Sequence, residues 1–281
     1  MSALLIVVVA LLTPLSALAV WAEREIGDAD GYVSAMAPLA SDPAVRNAVA
    51  DRITDEVLRQ VDPGPLLSGG VRDLVHAAVL SFTGTEAYET AWNTVNRAAH
   101  TAVEQALTSD DGDTASIDLA PVIEQVKRQL ITDGVPFADQ IPVAEIRITV
   151  VDSAKLGAAR EMFHALQVAG VWLPVATLLL AIAALLLARR RGPALIGLGL
   201  ALAVGGLLLR LTVVVGRAFA LDDLPADVDH AAAGAVFDAL TATLRVVSWW
   251  LVGVGAAVAV VTWWSRRGGR APANPPPEWS R

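Results

Sequence analysis

The chain has 281 residues, of which 54% are hydrophobic and only 18% charged, with a formal net charge of −8. That is more apolar than a water-soluble domain of this length carries, so lipid is expected to solvate part of it. Cysteine is absent, which excludes a disulfide framework, a thiolate metal centre and a cysteine nucleophile.

A bilayer core of about 30 Å takes ~20 apolar residues of helix, and residues 2–21 form the first such run. Pro14 and the A-x-A pattern Ala17, Leu18, Ala19 make a cleaved signal peptide the alternative. The lack of a basic residue before the run, and its extension to Trp21, favour a retained anchor.

Residues 22–167 follow as an acidic domain, with 11 Lys plus Arg against 23 Asp plus Glu and hence a net charge of −12. Such a surface repels nucleic acid and attracts cations or basic partners, although a merely solvated surface is the plainer reading. Ser41, Asp42 and Pro43 form a helix start, and Val45, Val49, Ile53 and Val57 recur every four residues to about Val61. Asp62, Pro63, Gly64 and Pro65 break that helix. A second helix over 71–82 carries Val71, Leu74, Val75, Ala78, Val79 and Phe82 on one stripe. After a turn at Thr83, Gly84 and Thr85, a third over 86–107 carries Tyr88, Trp92, Val95, Ala99 and Val103.

The same third helix places Glu89, Asn93, Asn96, His100 and Glu104 within about 80° of one another, as one polar stripe. Asn93, Asn96, His100 and Glu104 are the candidate ligand-binding residues. His100 and Glu104, at i and i+4, could share a cation, or the carboxylate could orient the imidazole for proton transfer. A solvated face or a buried hydrogen-bonded pair is the plainer reading, and no HExxH spacing is present. His76, His164 and His230 have no evident companions. Asp110, Asp111, Gly112 and Asp113 lack the D-x-D-x-D-G spacing of a calcium loop and read as a turn.

The period then switches to two. Residues 114–119 alternate through Ala115, Ile117 and Leu119, and residues 145–152 through Ile146, Ile148 and Val150, so two strands are expected. A helix over 121–132, stopped by Gly134, lies between them, an order that permits a crossover unit.

Ser153 caps a helix with no strong breaker before the second apolar run, residues 168–188, so one continuous rod over 154–188 is expected, with Pro174 as its kink and a rigid tie to the membrane as its consequence. The third run is 193–216 and the fourth 246–264. Trp172, Trp249 and Trp250 stand at run ends as membrane anchors, as do Trp21, Trp263 and Trp264. Arg210, the single charge inside a run, lies ~25 Å along it from Pro193. It reads as an anchor reaching toward Asp222 or Asp223 rather than as a transport site. Small residues at four-residue spacing, Gly199 with Ala203 and Gly253 with Ala257, suit close helix packing. In the loop 217–245, Val236, Phe237, Leu240 and Leu244 form a stripe expected to dock on the acidic domain. Arg189, Arg190 and Arg191, and then Arg266, Arg267 and Arg270, set both basic clusters on the cytoplasmic side. Both termini are then cytoplasmic, the acidic domain and the 217–245 loop are extracytoplasmic, and the tail 265–281, with prolines over 272–277, is inside.

The order of a span ending in Trp21, then Ala37, Pro38, Leu39, Ala40, Ser41, Asp42, Pro43, Ala44, Val45, and later Trp92, Asn96 and His100 resembles an uncharacterised group of actinobacterial multi-pass membrane proteins with an extracytoplasmic domain after the first span. The likeness covers nearly the whole chain. It implies topology and lineage, and neither a catalytic residue nor a cofactor; the scarcity of lysine, only Lys127 and Lys155, also suits a GC-rich genome.

The expected fold is mainly α: four transmembrane helices plus a helical extracytoplasmic domain with a small two-stranded β element. The expected function is that of a non-catalytic plasma-membrane protein of the cell envelope that binds, senses or scaffolds through its acidic domain. Its partners would be the lipid bilayer and an unidentified membrane or envelope protein, with no nucleic acid, metal or cofactor. An anchored extracytoplasmic enzyme or cation-binding protein using the His100 stripe is the alternative. A transporter is a third reading, for which four spans without a central acidic pair offer little pathway.

Overall fold

The computed structural model describes residues 2–61, 68–108, 116–118, 147–149, 153–188, 191–225 and 228–268, together with Glu124, Lys127, Arg128, Ile131, Thr132, Gly134 and Asp139. The breaker at 62–65, the turn at 110–113, the proline tail and most of the region expected to hold the 121–132 helix lie outside those residues.

Helix α1 (Ser2–Trp21) runs straight into a π-helical turn (Ala22–Ile26), closed by the Gly27 amide donating to the Ala22 carbonyl at 2.9 Å. Then follow α2 (Ala29–Met36), a 3-10 turn (Ala37–Ser41), α3 (Pro43–Val61), α4 (Ser68–Phe82) and α5 (Glu86–Thr108). Most of the residues expected to form the two strands, 114–119 and 145–152, lie outside the described residues. Helices α6 (Ser153–Leu186), α7 (Arg191–Asp222), α8 (His230–Leu240) and α9 (Ala242–Gly268) complete the chain. Gly134 adopts φ +72°, the left-handed conformation of a helix stop.

Among the described residues, four helical stretches are long and apolar enough to cross a membrane: Leu4–Ile26, Val168–Leu186, Gly192–Asp222 and Ala242–Arg267. The helices outrun the apolar segments read from sequence because the backbone ladder continues through polar residues whose side chains find partners. Arg217, five residues before the end of α7, shows this: its guanidinium donates to both carboxylate oxygens of Asp238, at 3.2 and 3.4 Å. Pro174 sits inside α6 without ending it.

The chain folds as two units. The bundle unit takes in Met1–Leu18, Val171–Thr212 and Leu244–Arg281, and the head unit Ala19–Gly170 and Val213–Thr243. In the bundle, glycines allow near backbone contact. A Cβ at Gly199 would lie 2.7 Å from the Gly255 carbonyl oxygen, and one at Gly255 would lie 2.5 Å from that of Gly199. Gly205 likewise faces Thr13 of α1. The Ser16 and Thr177 hydroxyls meet at 2.7 Å, joining α1 to α6. Outward, Leu178 and Leu186 are 62% and 71% exposed, a surface that a hydrocarbon solvent accommodates and water does not.

In the head unit, Met36, Leu39 and Val45 form the buried core, against which Trp92, Val49, Val236 and Leu240 pack. Of the stripe expected to dock, Val236 and Leu240 pack on this core, whereas Phe237 is not among the residues packed there and Leu244 belongs to the bundle unit. The stripes of α4 and α5 are only partly used. Tyr88 and Trp92 reach inward, whereas Leu74, Val95 and Val103 are exposed.

Candidate functional site

The polar stripe of α5 lies against α2 and the π-helical turn. A π-helical turn leaves carbonyls at its end without an intrahelical donor, and His100 supplies one: its Nε2 lies 2.8 Å from the Ile26 carbonyl oxygen. A carbonyl only accepts, so the hydrogen of this bond is on Nε2. The ring leans on Tyr32 with centroids 5.2 Å apart. Nδ1 is buried and has no hydrogen-bond partner. Nδ1 is thus enclosed, whereas Nε2 is engaged with the Ile26 carbonyl in an exposed bond.

The rest of the stripe is divided. Asn96 donates to the Trp92 carbonyl one turn back, at 2.8 Å, and the exposed Glu89 accepts from Ser41 at 3.3 Å. The Asn93 side-chain oxygen is buried without a partner, and Glu104 is half-buried and engaged. One turn below His100, Arg97 pairs with Asp30 of α2 at 2.7 Å. Among the described residues no group of three His, Asp or Glu side chains is arranged to hold a metal ion.

Two tryptophans act as His100 does. The Trp92 indole donates to the Met36 carbonyl at 2.9 Å, where α2 tightens into the 3-10 turn ahead of Asp42. The Trp21 indole donates to the Leu240 carbonyl at 2.8 Å, where α8 stops at Thr241. Trp21 therefore serves as a cap on a helix end inside the head unit. Trp172, Trp249 and Trp250 are exposed on the bundle helices. Arg210 is half-buried, and among the described residues no carboxylate lies within ion-pair distance of it.

Burial raises the Tyr32 phenol above its ordinary range. Burial also raises that of Tyr88, against the opposing charge of Arg46. Arg46 holds the Thr83 turn, its Nε donating to the Thr83 hydroxyl at 3.0 Å.

A concave feature of the head lies away from this stripe. Helices α3 and α8 border a groove of about 650 Å³ with Val45, Val49, Ala232 and Val236 along its floor and Asp51, Arg52, Asp55 and Asp229 at its rim. Arg72 reaches Asp55 at 2.7 Å, and Asp229 caps α8 through the Ala232 amide at 2.8 Å. Both apolar stripes were visible in the sequence. That they leave a trough between them depends on the angle and spacing at which they meet, which carries no local signal.

Four helices of spanning length and hydropathy define an integral membrane protein. No protein-family model, curated protein or solved structure matches this chain.

Proposed function

We propose that this is a non-catalytic, multi-pass plasma-membrane protein whose acidic head, residues 22–167 with the 217–245 loop, faces away from the cytoplasm and binds a membrane or envelope protein. Both termini are cytoplasmic in this reading, and a small β element around Ile117 and Ile148 belongs to the head. The lineage suggested by the resemblance agrees with it. The observation that carries the reading is the α3–α8 groove, whose apolar floor and polar rim are what a protein segment needs in order to dock. The His100 ring is committed to the Ile26 carbonyl through Nε2 and its Nδ1 is buried, which favours a structural role over the catalytic alternative.

A photo-crosslinking residue at Ala48 or Ala233, in native membranes, should give a discrete protein adduct. Ala232→Trp, which fills the trough, should abolish that adduct at unchanged protein abundance. Absence of any adduct, or one indifferent to the tryptophan, would overturn the docking role. Orientation is tested separately: in a chain without cysteine, Thr85→Cys should react with a membrane-impermeant maleimide on intact cells. Labelling only after lysis would reverse the topology.

A further inference from the structure

The bundle unit has nine arginines and, in Glu278, a single acidic residue; residues 162–221 and 239–277 contain none at all. Its sequence thus carries a large excess of positive over negative charge. Part of it is gathered at one end of the bundle. The Arg266 side chain lies across the first turn of α7, close enough that a Cβ at Gly192 would stand 3.1 Å from its Cδ and 3.2 Å from its Nε. Glycine at 192 is what lets the guanidinium lie beside the helix that opens at Arg191. One residue on, the Arg267 guanidinium carbon sits 3.5 Å from the centre of the Trp263 ring, a cation–π contact that holds the charge at the level of an indole. Trp264 is exposed beside it. Neither Arg266 nor Arg267 meets a carboxylate among the described residues.

We infer that this end of the bundle is a binding surface for the phosphate of an anionic phospholipid. A planar guanidinium offers paired N–H donors matched to phosphate oxygens, and an indole favours the headgroup region where those oxygens lie. Two guanidiniums, one lying along the first turn of α7 at Gly192 and one over Trp263, with no carboxylate meeting either among the described residues, select an anionic headgroup over a zwitterionic one. The surface is independent of the groove on the head and of which side of the membrane it faces.

The test uses the full chain purified in mild detergent and offered equal amounts of phosphatidylglycerol and phosphatidylcholine, with retained lipid counted by native mass spectrometry. Phosphatidylglycerol should be retained preferentially. Arg266→Gln and Arg267→Gln should each reduce that preference about fivefold, the size of one juxtamembrane cation's contribution at an anionic surface. Lysine at both positions should keep part of the preference, and Arg128→Gln, on the head, should leave it unchanged. Equal retention of the two lipids, or a double glutamine variant that still prefers phosphatidylglycerol, would overturn the inference. So would displacement of the lipid by an equal concentration of inorganic phosphate, which would make the site one for the free anion. Gel filtration checks that each variant is folded; should the double variant aggregate, the two single variants decide the question.

Discussion

Trp21, Trp92 and His100 each give a ring N–H to a main-chain carbonyl at a place where a helix stops or changes pitch. A buried carbonyl that loses its donor retains the cost of desolvation, so truncation costs more than the bond's net worth. Trp92→Phe keeps the ring and bares the Met36 oxygen; it should destabilise the head by about 1–3 kcal/mol, read from a shift of the thermal melt in detergent. The opposite sign is expected where a hydroxyl is buried unused. Thr54 is fully buried, Tyr88 nearly so, and neither hydroxyl has a partner. Thr54→Val and Tyr88→Phe should each raise the melting temperature, by the equivalent of about 1 kcal/mol; a fall in either would mean that the hydroxyl is satisfied. These sites also show where sequence reading stops. A tryptophan at the end of an apolar run reads as a membrane anchor, and only the fold reveals that the Trp21 indole is bonded to Leu240, 219 positions away.

At the scale of elements, glycine decides which helices can touch. At Gly199 the obstacle to a side chain is the Gly255 backbone, which cannot swing aside as a flexible side chain can. Gly199→Leu should therefore separate α7 from α9 and sharply lower the yield of monodisperse protein in gel filtration, while Gly253→Leu, with open space around it, should be tolerated. In sequence the two glycines were equivalent, each four residues from an alanine. Gly31 is similarly constrained by the Arg24 carbonyl at the π-helical turn. That turn had no signature in the residue pattern, since 22–26 reads as the polar edge of a span, and its pitch follows from where Gly27 and Gly31 allow α2 to fold back. By contrast the starts of α3 and α5 were legible, because a capping Asp42 and the Thr83–Thr85 turn act over four residues or fewer.

For the whole molecule, the raised phenols of Tyr32 and Tyr88 predict a pH limit. A phenol held neutral by burial contributes stability that is fully present below its unfolded value, about 10, and is lost as pH climbs through the higher folded value. Thermal stability of the head should fall above about pH 10, and Tyr88→Phe should soften that fall. A flat profile from pH 8 to 11 would contradict it. The same separation of scales divides what could be learned from what. Membrane class and the position of four spans follow from the sequence alone, because hydropathy sums along a single helix and needs no neighbour. The groove between α3 and α8, the bond from His100 to Ile26 and the Arg266 side chain lying at Gly192 were decided only by tertiary structure, since each requires elements far apart in the chain to meet at a particular distance and angle.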